Sequence, residues 1–149
     1  MSDPHYQPPD LALVGPEHVR RYQETNGEVG YLWNGVPILL LTTTGRRSAQ
    51  PRTNALIFGR DGDDYLVVAS TGGAPAHPNW YLNLTSQPEA EIQVRGEHVK
   101  VSARTAGDEE KPRLWKIMTA DWPNYDVYQT RTERVIPLVV LSPRHETTR

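Results

Sequence analysis

Cysteine is absent from the 149 residues, which excludes disulfides, thiolate metal sites and cysteine nucleophiles and fits an intracellular address. Long apolar runs are absent too, and stretches such as Ile38 to Leu41 are far too short to span a bilayer. The opening MSDPHYQPPD has neither the basic flank nor the apolar stretch of a signal peptide, so a cytoplasmic protein is expected. Neither sign of charge dominates: 16 Lys and Arg stand against 18 Asp and Glu, a formal net charge of -2, so no global field pulls the chain onto nucleic acid or an anionic membrane. His5, His18, His77, His98 and His145 lack metal-pair spacing, and there is no Walker-type loop, dinucleotide glycine fingerprint or nucleophile elbow.

What is present reads as one domain over residues 1–149 with 37% hydrophobic content. Residues 1–15, with Pro4, Pro8 and Pro9, have little to bury and are expected to form a flexible tail. Residues 16–28 suit a short, mostly solvated helix with Pro16 in its first turn and Gly27 as its stop. Six strands are expected, at about 36–44, 52–59, 64–70, 90–95, 98–104 and 136–144, the first apolar throughout and therefore buried on both faces. The first three form a meander, turning at Ser48-Ala49-Gln50-Pro51 and at Asp61-Gly62, and Gly96 separates the fourth from the fifth. HPNWYLNLTS is a short helix with Pro78 near its start. A later helix has Asp108 as N-cap and Leu114, Ile117 and Met118 as its inner face, with a break near Trp122-Pro123. The fold class that follows is mainly β with short helices, a small antiparallel barrel with helices at its openings, because a sheet of this size needs closure or cover for its edges.

The densest local charge is TTTGRRSAQPRTNALIFGR, residues 42–60, which holds four arginines and no acid. If the flanking strands pair as a hairpin, Arg46, Arg47 and Arg52 lie near one rim. Guanidinium forks there bind phosphate or carboxylate in two-point fashion, and Gly45 lets a ligand approach the backbone. The alternative is a solubilising tip pointing into water. Trp122, Tyr125 and Tyr128 recur at intervals of three, which on a helix places them on one side. They either line an apolar slot with hydroxyls at its edge or close the core at one end of the barrel, and Trp80 and Tyr81 admit the same two readings.

Three longer strings narrow the choice. LLLTTTGRRSAQPRTNAL, VVASTGGAPAHPNWYLNL and WPNYDVYQTRTERVIPLVVLSP together resemble the deazaflavin-dependent nitroreductase family of actinobacteria, small split-barrel proteins that bind coenzyme F420. The likeness runs from about Val36 to Pro143, with Gly-Arg-Arg-Ser-x-Gln-Pro-Arg its most specific part. It implies a cofactor with an anionic phosphodiester and glutamate tail and a flat aromatic ring. By this resemblance Arg46, Arg47, Ser48 and Arg52 take the charged part, with Thr53, Asn54, Ala55, Leu56 and Ile57 running along it. Val68, Ala69, Ser70 and Thr71 belong to the same site, as do Asn79, Trp80, Tyr81, Leu82 and Asn83, and Tyr125 approaches from the C-terminal part. The acceptor pocket falls to Trp122, Tyr125 and Tyr128 beside Ser70, with Ser70, Tyr125 or Tyr128 serving the reduced oxygen. Ile57 and Thr71 replace a tyrosine and a lysine of the nitroimidazole-reducing member, which favours quinones over bulky nitroimidazoles as substrates.

The function expected is hydride transfer from reduced F420 to a quinone, with enones and nitroaromatics as further acceptors and no metal. An FMN-binding split barrel and a non-catalytic F420 carrier are the competing readings. The cations of VRRYQ leave open a peripheral contact with the inner face of the cell membrane, although Glu17, Glu24 and Glu28 argue against a strongly basic face.

Overall fold

An eight-stranded antiparallel sheet organises the computed structural model, which describes Pro9 and residues 13–144. The chain runs α1 (Gly15–Thr25), β1 (Leu32–Trp33), β2 (Val36–Thr44), β3 (Pro51–Ile57), β4 (Gly59–Asp61), β5 (Asp64–Val68) and a 3-10 turn (Thr71–Gly73). It continues through α2 (Asn79–Ser86), β6 (Glu89–Val94), β7 (Glu97–Thr105), α3 (Lys111–Asp121), α4 (Asn124–Thr130) and β8 (Leu138–Pro143). The strand order is β1-β2-β6-β7-β8-β5-β4, with β3 paired to the other side of β2. Segment 51–61 therefore meets both ends of the ladder: β3 pairs with β2, Thr43 opposite Arg52, while β4 pairs with β5, Asp61 opposite Asp64. The sheet curls into a split barrel.

The strand expected at 52–59 is thus two strands that change partners at the buried Phe58, and the three-strand meander is really this seam. A two-residue β1 accounts for the other additional strand.

Strand alternation distributes the core. Leu39 and Leu41 of β2 join Tyr65 and Val67 of β5 and Val139 and Leu141 of β8 inside the curl. On the opposite faces, Leu66, Val68, Leu138 and Val140 pack against Leu114 and Met118 of α3, while Ile38 and Leu40 pack against Tyr22 of α1. The run Ile38-Leu39-Leu40-Leu41 is apolar throughout because both of its faces are covered.

Helix α1 differs from its expectation. It ends at Asn26, which takes the left-handed conformation (φ 51°), one residue before Gly27, and it buries His18 and Tyr22. The Tyr22 hydroxyl donates to Ile38 O (3.0 Å), lies 3.3 Å from Gln93 O and accepts from the Arg95 N–H (2.7 Å), joining α1 to β2 and to the turn between β6 and β7. Tyr22→Phe strands these backbone groups, so a loss of about 1–3 kcal/mol in unfolding free energy is expected from urea titration. Along α1 Arg20 pairs with Glu17 and Glu24 and Arg21 faces Glu17, so the two cations are matched by acids. Part of the expected N-terminal tail, residues 1–8 and 10–12, lies outside the described residues, but Leu13 accepts a hydrogen bond from Trp33 Nε1 (2.9 Å) and Gly15 opens α1.

Asp108 does not cap α3, which begins at Lys111 after Glu110. Instead the Glu110 carboxylate pairs with Arg104 and accepts from the Gly107 N–H, and these contacts, Arg104 first, hold its pKa at about 2. Ile117 packs beside the buried Leu114 and Met118 as a half-buried neighbour. Among the described residues no helix is long and apolar enough to cross a membrane.

Candidate active site

The β2–β3 hairpin closes itself with its own backbone. The Gly45 N–H donates to Gln50 O (2.8 Å) and the Ala49 N–H donates to Gly45 O (2.8 Å), so the arginine side chains are not needed to hold the loop. The space beside Gly45 is taken by the hairpin itself and not left to a ligand as expected: a Cβ would lie 2.6 Å from Ser48 Oγ and 3.2 Å from Gln50 O, so a larger residue would have to turn Ser48 aside. Arg46, Arg47, Ser48 and Arg52 line a hollow of about 420 Å³, with Asn79 and Asn83 of α2 opposite them.

Arg46 is held by amides. Its Nη1 donates to Asn83 Oδ1 (2.9 Å) and its Nη2 to Asn79 Oδ1 (3.3 Å). Asn83, 3% exposed, also accepts from the Arg46 N–H and donates to Thr43 Oγ1 (3.1 Å), fastening α2 to the hairpin. Among the described residues no carboxylate forms an ion pair with Arg46, Arg47 or Arg52, so three positive charges converge on the hollow uncompensated. That donor set suits a multiply charged anion.

Thr53, Asn54, Asn79 and Trp80 are shared with a larger cleft of about 920 Å³. One wall of this cleft is β3, with Ala55, Leu56 and Ile57. Another is Val68, Ser70 and Thr71 at the end of β5, and the back is Trp122, Tyr125 and Tyr128. Trp122 ends α3 and the tyrosines belong to α4, so the three aromatics meet across the Pro123 break and not along one helix. They satisfy both readings of their spacing, since each is at most 8% exposed, packs in the core and borders the cleft. Trp33 packs on Trp122 (centroids 5.4 Å apart) and Tyr125 meets Tyr128 edge-on (6.1 Å). Burial, then the neighbouring Tyr128, pushes the Tyr125 pKa far up, so its phenol stays protonated as a donor.

On α2 only positions 79, 80 and 83 face these hollows. Tyr81 turns away to share a hydrogen bond with Thr105 Oγ1 (2.8 Å), and neither Leu82 nor the fully buried Ala69 lines either hollow. Residues outside the expected set also border the cleft: His18, Arg20 and Gln23 from α1, Trp33, and His77. Only the i, i+4 pair His18 and Tyr22 hinted at an inward face of α1.

Arg134 lines neither hollow but holds residues that do. Its Nε donates to Ala74 O (2.8 Å), Nη1 to Ala69 O (3.1 Å) and His77 Nδ1 (3.0 Å), and Nη2 to Ser70 O (2.7 Å) and Thr71 Oγ1 (3.4 Å). These five bonds clamp a loop in which Thr71, Gly72 and Gly73 all have positive φ (45°, 63° and 85°). For a β-branched residue this conformation is strained and persists only when its surroundings hold it. Among the described residues no group of three His, Cys, Asp or Glu could hold a metal ion.

Fold and site together define a split barrel whose cation-rimmed hollow opens into an aromatic cleft, the layout of a redox protein that uses an anionic organic cofactor. The comparisons with known proteins agree. The chain belongs to the F420H(2)-dependent quinone reductase family, whose model matches residues 15–143. It is similar to an F420H(2)-dependent quinone reductase of Mycobacterium tuberculosis, 46% identical over 131 residues that span 85% of this chain and 88% of the relative. Among solved structures, an F420-H2 dependent reductase is 36% identical with a TM-score of 0.66, covering 71% of this chain and 94% of that one. Another, described as a domain-swapped dimer, is 33% identical with a TM-score of 0.69, covering 83% and 96% respectively.

Proposed function

We propose that the chain binds reduced F420 across the two connected hollows and passes hydride to a quinone, with enones and nitroaromatics as further acceptors. The observation that carries this reading is the continuity of the trough: one end is rimmed by Arg46, Arg47 and Arg52 without acidic partners, and the other is walled by Trp122, Tyr125 and Tyr128. A cofactor that is multiply anionic at one end and flat at the other fits this division.

Arg46, Arg47, Ser48 and Arg52, which line the smaller hollow together, would hold the charged tail. Thr53 to Ile57 of β3 would run along the cofactor, with Asn79 and Trp80 guiding the passage between hollows. When bound, reduced F420 supplies a hydride. The buried aromatics exclude water and leave an acceptor little freedom of orientation. Tyr125 Oη–H, kept protonated by its burial, would donate to the oxygen on which negative charge develops, with Ser70 Oγ and Tyr128 Oη as neighbouring polar groups.

The test is to mix purified protein with reduced F420 and menadione and follow the return of oxidised deazaflavin absorbance. Menadione-dependent turnover is the expected result. Tight binding without turnover would leave a carrier, and copurified FMN without F420 affinity would leave a flavin protein. Tyr125→Phe is expected to bind F420 within about threefold of wild type but to lose about 10–100-fold in kcat, since it removes one preorganised donor and little volume.

A further inference from the structure

Resting on that reading of the trough, we propose that His77 is a neutral hydrogen-bond donor to a conjugated carbonyl oxygen in the cleft, its Nε2–H presented there by Arg134. The argument begins at Arg134. A guanidinium has five N–H donors and no acceptor, and all five are engaged at this position. Where Arg134 Nη1 approaches His77 Nδ1 to 3.0 Å, the imidazole must therefore offer a lone pair. The ring proton then resides on Nε2, because an imidazolium would set N–H against N–H.

Nε2 has no hydrogen-bond partner among the described residues, and among them no fully buried side-chain nitrogen or oxygen is left unpartnered, so this atom reaches accessible space. His77 borders the larger cleft, on the same wall as Asn79 and Trp80. Its ring is steadied from the other side by Tyr81, with centroids 4.9 Å apart. The groups facing it are thus Arg134, from the segment after α4, and Tyr81 of α2. Burial, and then the Arg134 charge, holds the His77 pKa below the ordinary imidazole range, so the donor form persists at neutral pH. Arg134 cannot swing away to release the ring without giving up four other bonds to loop 69–74. A fixed, neutral donor polarised by a cation behind it suits a carbonyl oxygen that gains electron density. The quinone oxygens gain that density as hydride arrives, and the carbonyls of the deazaflavin ring, whose density falls as it gives hydride up, are the other conjugated oxygens that would enter this cleft.

Three measurements separate the sources. Nitrogen-15 imidazole spectra of the wild-type apoprotein should show His77 as the Nε2–H tautomer, with Nδ1 unprotonated. His77→Phe keeps a ring against Tyr81 and removes the donor, and His77→Gln places an amide N–H near the lost Nε2–H. The Phe variant should lose about 10–100-fold in F420 affinity if the partner is the cofactor carbonyl, or in kcat/KM for menadione at unchanged F420 affinity if it is the acceptor. His77→Gln should recover most of either loss. An Nδ1–H tautomer would overturn the assignment, as would a wild type active with F420 whose Phe variant matches it in both parameters. Should the Phe variant fail to fold, a Gln variant that folds but stays as impaired as His77→Asn would overturn it equally. A wild type that neither binds F420 nor turns over would overturn the reading of the trough and this assignment with it.

Discussion

Removing Arg46 and Arg52 together, as the double alanine variant, is expected to weaken F420 binding by at least about a hundredfold. Each guanidinium contact to an oxyanion is worth about 1.5–3 kcal/mol, and the rim is open to water, so the lower end of the range applies to each. Two such losses sum to about 3 kcal/mol, and 1.4 kcal/mol is a factor of ten. The residual affinity should also be less sensitive to salt, because fewer ionic contacts are left to screen. The fold should tolerate the change: the hairpin closes through Gly45, Ala49 and Gln50 backbone groups, and Asn83 keeps its bond to Thr43. Fluorescence titration of F420 at two ionic strengths checks both parts. Unchanged affinity would remove the arginine rim from the binding site.

Gly73→Ala is expected to be among the most damaging single substitutions near the cleft. Its added Cβ would lie 2.6 Å from Tyr128 O and 2.9 Å from Arg131 Cβ, at a φ of 85° that alanine disfavours. Tyr128 O is backbone and already accepts from the Arg131 N–H (3.0 Å) at the end of α4, so relief requires moving the helix that carries Tyr125 and Tyr128. Overpacking and the left-handed backbone together cost about 2–4 kcal/mol, or roughly 5–15 °C in Tm for a chain of this size. Gly72→Ala is the internal control. It has a similar φ of 63° but nothing within 4 Å of the added Cβ, so only the backbone strain of about 1–2 kcal/mol applies. Equal melting temperatures for the two variants would show that the loop does not bear on α4 as described.

Much of the architecture was legible because the signals were local. The apolar run at Ile38 to Leu41 announced a strand covered on both faces, and Pro78 marked the start of α2. The change of partner at Phe58 was not visible, since an apolar residue continues the strand pattern while the ladder switches from β2 to β5. The start of α3 was misplaced because Asp108 looks like a cap, whereas Glu110 closes the preceding turn through Arg104, a residue of β7. Arg134 lies within one of the strings that carry the family resemblance, but nothing in the string gives its role: it lies 57 to 65 residues from the groups it binds, and three of its five partners are backbone carbonyls that any sequence provides. His77, one of five histidines without metal-pair spacing, carries no further signal for the same reason, because its meaning depends on that distant guanidinium. Sequence alone leaves the arginine hairpin open between a ligand rim and a solubilising tip. Arg46 meets Asn79 and Asn83 of α2, on a hollow that Arg47 and Arg52 also line, an arrangement that suits a rim.

The division of the trough into a charged end and an aromatic end is tested most directly by a cycle of two ligands on two proteins. Affinities of wild type and of the Arg46→Ala, Arg52→Ala variant are measured for intact F420 and for its deazaflavin ring stripped of the phosphodiester and glutamates. Wild type should prefer the intact cofactor by about a thousandfold, with only the roughly tenfold share of Arg47 left in the variant and ring affinity equal in both. A preference for the intact cofactor undiminished by loss of the two arginines would place the tail elsewhere and contradict the account.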